Sequence, residues 1–537
     1  MTQVHVALVV PPAREGPAGL VRSGIGDYAL ELAAALRTQT TVRVYSSSPV
    51  ADEWPLESLS RRDAEHVWWQ LGNEAAQAPL AQVLQRVRGV VTVHDWILYD
   101  LACARWPELG RGGWRGLWRA WREGGAEDAR VYLEYLSAKQ RARAAPTVIA
   151  DALVSGWHAP EALGRWSARE AWLHLAGEGA GVGELASVEL QLYLPAGRAL
   201  RVEVQDQETH FVQGTGQVQA VRCAVRVPCR VRLVCDSTRP DPEQVRCADP
   251  RELGVQLRQV FVTTARGTRE VDWRTPWPLW HGPQLSAWRF ALPLQRRVLA
   301  AADACFVHSA ELRGRLQRVQ PRLPVAVVEH GAAVVVPSCT REEARALLGW
   351  EPKSFYVVCF GGVQAHKRIA VVIEAVAHAR RCGSAVQLVL AGAEDAELDL
   401  QALVTRHEAA SWIVCTGRVA PESIEAVLRA ADVCVQLRGP STGGTSGGIQ
   451  RALAARRAVI ASDLAEQREL PDACVAKVAA GPEEVVQLAT LLGRLQREPA
   501  RVAAMERAAD EYVRTRCAWQ LVAQRSLHQL EHWRSQR

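Results

Sequence analysis

The chain has 537 residues, of which 48% are hydrophobic and 23% charged, with a formal net charge of +6. This composition excludes a disordered or collagen-like chain, and the length calls for more than one hydrophobic core. So mild a basic balance suits anionic small molecules or a membrane surface; with no arginine block, no zinc-type Cys/His spacing and no RNA-binding signature, nucleic acid is not an expected partner.

The opening MTQVHVALVVPP reads as a strand, too short and too uncharged at its start for a signal peptide. No apolar run reaches the ~18 residues of a membrane span, so a cytoplasmic protein is expected, with the inner face of a membrane within its reach. Thirteen cysteines without disulfide-framework spacing, such as Cys305, Cys359, Cys415 and Cys434, read as small buried hydrophobes.

Residues 1–151 alternate strand and helix. Residues 4–10 form an apolar run of buried parallel-strand type, and 24–37 place Ile25, Tyr28, Ala29, Leu32, Ala33 and Leu36 on one helical face. TVRVYSS and GVVTVHD supply further strands, the latter ending at His94 and Asp95. Strand, glycine turn, helix, strand is the doubly wound pattern, whose ligands lie beyond the carboxyl ends of the strands. Within this part, residues 105–122, RWPELGRGGWRGLWRAWR, predict a helix with Trp114, Leu117, Trp118 and Trp121 on one face and Arg115, Arg119 and Arg122 flanking it. Such a helix suits a membrane interface or, alternatively, an acceptor cleft packed against the domain that follows.

From 152 to 264 the period changes to two: Val188, Leu190, Leu192 and Leu194 alternate with Glu189, Gln191 and Tyr193, and similar runs occur at 200–204, 231–234 and 255–262. An antiparallel β-sandwich is expected, inserted into the first domain, because α/β alternation resumes in 265–340. That return opens with a Trp- and Pro-rich segment at 265–292 and then gives strands ending at His308 and Ser309 and at His330 and Gly331. A second α/β domain spans 341–515, with strands FYVVCFGG, VQLVLAG, SWIVCTG, DVCVQL and RAVIAS, and 516–537 form a helix that packs back on the first domain. In the second domain, 437–463 turn through five glycines into a helix and return to a strand, leaving backbone N–H groups and a positive helix end for an anionic phosphate.

The segments SGIGDYALELAAAL, VVTVHDWILYDL, AADACFVHSAELRGRL, VVEHG, FGGVQAHKRIAVVIEAVA and CTGRVAPESIEAVLRAADVCVQLRGPSTGGTSGGIQRALAARRAVIASD, in this order, resemble the retaining glycosyltransferases of family four. The resemblance implies the α/β GT-B fold of two Rossmann-like domains facing across a cleft. It also implies metal-independent transfer of a sugar, with retention of configuration, from a nucleoside-diphosphate sugar to a glycan or lipid-linked acceptor in surface polysaccharide synthesis. No cofactor beyond the donor is implied. Negative charge collects on the departing diphosphate, so such an enzyme needs fixed cations and N–H donors there. Lys367 matches the family lysine on the diphosphate, with Arg368 beside it, and His94 matches a histidine near the donor's sugar. Gly24 and Gly26 match a first-domain loop near the phosphates. Gly362, Gly443, Gly444, Thr445, Ser446, Gly447, Arg451 and Glu469 fall in the donor region, and Asp95 and Trp96 on the acceptor side.

The chain departs from the family where two glutamates are usual: Gly443 or Gly444 and Arg451 stand there. A weakened enzyme, or a glycan-binding scaffold that keeps the GT-B fold, is the alternative. In the inserted domain, GWHAPEALGRWSAREAWLHL and DPRELGVQLRQVFV resemble a β-sandwich module found beside bacterial sugar-modifying enzymes. Trp157, Glu161, Arg165 and Trp166 either form a carbohydrate platform or cap the module's core.

Overall fold

The computed structural model describes residues 4–16, 19–21, 23–50, 52–62, 64–144, 153–160, 165–175, 184–204, 209–227, 229–236, 253–265, 267–270, 290–334, 338–395, 398, 400–481 and 483–536. The expected Trp-rich segment lies mostly outside them, as does Glu161.

Two parallel sheets organise the α/β parts. In the first lobe the strand order is Val325–Val327, Ala302–Val307, Gly89–Val93, Ala64–Leu71, Val4–Val9, Val42–Ser46 and Glu53–Pro55, every neighbouring pair parallel. In the second lobe it is Ile413–Cys415, Val386–Ala391, Phe355–Phe360, Val433–Gln436, Ala458–Ser462 and Val475–Val478, again all parallel. Central strands of such sheets are covered on both faces, which is why Val6 to Val9 and Val357 and Val358 are fully buried without alternation. The helix Gly24–Arg37 buries the face expected of it, with Tyr28, Ala29, Leu32, Ala33 and Leu36 packed on the first sheet. Cys305, Cys359 and Cys434 are buried as expected, but Cys415 is exposed, because its short strand lies at the sheet edge.

Between the adjacent strands Gly89–Val93 and Ala302–Val307 the chain leaves the first lobe and builds a nine-stranded antiparallel sheet, from Leu153–Pro160 to Gly267–Glu270. Burial alternates along its strands, as in Glu184–Tyr193, where Val188, Leu190 and Leu192 point inward. The long strand Arg165–Leu175 joins two halves: its start pairs with Gln256 and Leu257, and Glu170 to Leu175 pair with Cys229 to Val234. Inward residues of both halves, including Val188, Val225 and Val262 from one and Leu200, Val202 and Leu233 from the other, share a core separate from those of the lobes. Trp172 of this module meets Arg381 of the second lobe at 5.8 Å.

The last helix, Trp519–Ser535, returns from the second lobe to the first. Trp519, Val522, Ala523, Leu530 and Trp533 join the core formed by Val6, Leu8, Tyr28 and Phe306, with the Trp533 and Phe306 ring centres 4.8 Å apart. The carboxyl ends of both parallel sheets thereby face one another, which is where open α/β sheets place ligands.

Candidate active site

A cavity of about 840 Å³ opens between the lobes. Gly24, Asp27, His94 and Asp95 line it from the first lobe, and Gly362, Lys367, Arg438, Gly444, Thr445, Ser446, Gly447 and Arg451 from the second.

Lys367 ends the short turn Ala365–Lys367 after the strand Phe355–Phe360. Its ammonium lies over Gly361, where a Cβ would come within 2.8 Å of Nζ, so a side chain there would displace it. Burial first, and the neighbouring Arg438 second, pull its pKa down from 10.5 to about 7. Among the described residues no carboxylate pairs with it. Arg438 follows the strand Val433–Gln436 and is aimed by Nη2 donating to Ser446 Oγ at 3.1 Å; burial lowers its pKa to about 10. The same Ser446 hydroxyl accepts from Ile449 N at 3.4 Å and caps the helix Gly447–Ala454, whose first amides are free of intrahelical partners. Two desolvated cations and a helix N-terminus therefore face one space, an arrangement that favours an anion.

Opposite them, Asp95 is fixed at both oxygens: Oδ2 accepts from Asn73 N at 2.9 Å and Oδ1 from Thr442 Oγ1 at 3.0 Å. Burial raises its pKa. His94 belongs to a proton-ordered chain. His308 Nδ1 donates to Val328 O at 2.9 Å, so His308 Nε2 accepts from His94 Nδ1 at 3.4 Å. His94 Nε2 is then an acceptor and needs a donor from Gln70, 2.9 Å away; the amide nitrogen of Gln70 has no other partner, and exchanging the two amide ends supplies it. Burial lowers the pKa of His94 well below the ordinary value, that of His308 to about 4 and that of His330 to about 3, so the cluster is neutral near pH 7.

Several expected roles are corrected. Arg368 does not reach the cavity: at φ 56° it turns inward, is 2% exposed, and forms a bidentate pair with Glu484, with Nε donating to Oε1 at 2.8 Å. Gly26 is buried and its N–H donates to the helix cap Ser23 Oγ at 3.2 Å, so it is not offered to a phosphate. His94 lines the cavity, but both ring nitrogens are engaged and neither is offered to a ligand. Trp96 packs on the first-lobe core, not in the cavity.

Gly443 serves a lobe contact rather than the cavity wall: a Cβ there would stand 2.3 Å from Trp96 Cβ, and its φ of 75° suits glycine. A Cβ on Gly444 would stand 2.4 Å from His94 O. The loop is held in this approach by Thr442 O, which accepts from Trp96 N at 2.8 Å and Ile97 N at 3.0 Å. A glutamate has no room at 443.

Glu469 lies outside the main cavity. Its carboxylate accepts from Ala310 N and Glu311 N, each at 2.7 Å, capping the helix Ala310–Val319 across the lobe boundary and lining a neighbouring cavity of about 290 Å³. Arg451 lines the main cavity but pairs with Asp27 at 3.2 Å and Glu31 at 3.8 Å in the first lobe. Trp157 is 3% exposed, its indole N–H donating to Trp172 O at 3.0 Å, and Arg165 is 1% exposed; both belong to the module's interior. Trp166 is half-buried, edge-on to Tyr193, with no part in the cavity.

The roles of Gln70, Asn73 and His308 in the site were not read from the sequence. Their shared signal is position: each stands at or just beyond the carboxyl end of a first-lobe strand. Among the described residues one group could ligate a metal, His5, His66 and Glu531, and none of the three lines the cavity.

Residues 354–498, which lie in the second lobe, match the family model of glycosyl transferases group 1. No curated protein matches the chain. Among solved structures it is similar to sucrose-phosphate synthase from Thermosynechococcus elongatus, with 22% identity, 46% of this chain and 62% of that one covered, and a TM-score of 0.39. It is similar also to HepE from Anabaena in complex with UDP, with 12% identity, 98% and 100% covered and a TM-score of 0.46. For WaaG, a glycosyltransferase involved in lipopolysaccharide biosynthesis, the values are 12%, 97% and 98%, and 0.46. The chain thus spans less than two thirds of the synthase's length.

Proposed function

We propose that this chain is a GT-B glycosyltransferase that moves a sugar from a nucleoside-diphosphate donor to a glycan or lipid-linked acceptor of surface polysaccharide synthesis, with retention of configuration and without a metal ion. One observation carries the reading: Lys367 and Arg438 stand desolvated at the wall of one interlobe cavity, with no carboxylate paired to Lys367 among the described residues, beside the amides of Gly447 and Gly448. A diphosphate between them would restore the charge state that burial opposes in both. In the transfer step the anomeric carbon loses its bond to the phosphate oxygen and gains one to the acceptor oxygen. The acceptor's proton passes to the departing phosphate, whose growing charge the two cations hold. In this reading the neutral His94, held by His308, lines the cavity without moving a proton. The antiparallel module is, in this reading, a β-sandwich inserted in the acceptor lobe.

A second reading, a glycan-binding scaffold of weakened turnover, draws on Arg451, which reaches Asp27 where the family resemblance would put a ribose-binding carboxylate. Incubation with UDP-, GDP- and dTDP-sugars separates the two. Release of nucleoside diphosphate from at least one donor, lost in Lys367→Ala, supports the transferase; glycan binding with no donor cleaved supports the scaffold.

A further inference from the structure

The helix Gly113–Gly124 is mounted with its tryptophans outward. Gly116, Ala120 and Glu123 form its buried stripe, while Trp114, Trp118 and Trp121, at the same spacing on the other side, are 74%, 43% and 51% exposed. The inner stripe is set by contact: a Cβ on Gly116 would lie 2.1 Å from Tyr132 Oη, which is itself held by donating to Leu109 O at 2.6 Å. Rotating the helix to bury its indoles would drive one into that tyrosine. Among the described residues the main packing partners of this helix are the helices Glu108–Arg111, Ala126–Ala144 and Arg296–Ala301, rather than the antiparallel module that the sequence offered as one alternative.

The outward face is also basic. Arg111, Arg115 and Arg122 are exposed. Arg115 lies 5.6 Å from the Trp114 ring centre and Arg122 5.1 Å from that of Trp118. The helix's one acid, Glu123, is buried and faces Arg297 at 3.5 Å. Three exposed indoles in one stripe, each with an apolar body and a polar N–H, match the layered chemistry of a headgroup region, and the arginines match its phosphates. The same face on a second copy of the chain would set three arginines against three, which opposes a two-fold pairing through it.

We propose that the Gly113–Gly124 helix docks the protein on an anionic lipid bilayer, indoles at headgroup level and arginines against lipid phosphates. The inference does not rest on the transferase reading. Its test is co-sedimentation of the full chain with vesicles of phosphatidylglycerol and phosphatidylcholine in equal parts, against vesicles of phosphatidylcholine alone. Partitioning to the anionic vesicles should be at least ~tenfold stronger, should weaken with added salt, and should fall at least ~tenfold in the Trp114→Ala, Trp118→Ala, Trp121→Ala variant. Donor turnover without vesicles should be unchanged in that variant. Arg115→Glu with Arg122→Glu, two exposed positions, gives an independent reading and should lose the preference for anionic vesicles. Absence of wild-type binding to the anionic vesicles overturns the proposal, as does equal binding by the tryptophan variant. A concentration-dependent dimer that the tryptophan changes abolish, with no vesicle binding, assigns the face to self-association instead.

Discussion

Lys367 links the site's electrostatics to a measurable proton. An ammonium held at about 7 instead of its ordinary 10.5 has lost about 5 kcal/mol of charge stabilisation, at ~1.4 kcal/mol per pKa unit. An anion in the cavity can offset that cost through this group. A nucleoside-diphosphate sugar has no ionisation of its own near neutrality, so any proton taken up on binding belongs to the protein. Below pH 7 Lys367 is already protonated in the free protein and donor affinity should be flat. Above pH 7 binding must bring a proton, and affinity should fall, approaching about tenfold per pH unit, until the raised pKa of the bound state is reached. Calorimetric titration of a UDP-, GDP- or dTDP-sugar in buffers of different ionisation enthalpy at pH 8 should show uptake of nearly one proton, absent in Lys367→Met. Proton-independent affinity between pH 6.5 and 9 in a wild-type protein that binds donor would refute the reasoning. Lys367→Ala should lower kcat by about 10²-fold, the scale for removing one preorganised donor from a developing anion.

The same burial makes Lys367 a cost to the free protein. Its folded pKa lies below its unfolded one, so the cost is full below pH 7 and fades as pH rises toward 10.5; Lys367→Met should raise the apo-protein's Tm most at pH 6.5 and by much less at pH 9.5. Arg368→Met should leave Glu484 buried without its partner and reduce stability by about 3–5 kcal/mol in urea unfolding, with kcat per folded molecule near wild type; a large kcat loss in a stable variant would return Arg368 to the site. Gly444→Ala should push the glycine loop off His94 O, widening the cleft by small-angle scattering and raising donor KM more than it lowers kcat. Because burial holds His94 neutral, its titration should contribute no limb to the kcat/KM profile between pH 6 and 9, and a histidine resonance of His94 titrating near pH 6.5 would contradict the proton order drawn above.

The parts legible in the sequence were those with a local physical signature. Continuous apolar runs such as 4–10 marked strands covered on both faces, period-two runs such as 188–194 marked the antiparallel module, and the glycine loop marked the start of a helix. Lys367, which lines the cavity, was singled out through the motif FGGVQAHKR that carries the family resemblance. The place of Arg368, one residue on, was not legible: its destination depends on a left-handed backbone turn and on Glu484, far along the chain. Gly26 had a signal that could have been used, since Ser23 three residues earlier is a cap that claims its N–H. The sequence left open whether the indoles of Gly113–Gly124 face inward or outward, because that is decided by the fit of Gly116 on Tyr132, a contact no periodicity encodes. The contact of Gly443 with Trp96 joins two lobes, and no sequence spacing encodes it.

The central claim is that the interlobe cavity holds a sugar diphosphate between Lys367 and Arg438. A structure determined with a bound nucleoside-diphosphate sugar tests it most directly: phosphate oxygens should lie about 2.8 Å from Lys367 Nζ and from the Arg438 guanidinium. A donor bound with its diphosphate away from both side chains would contradict the account.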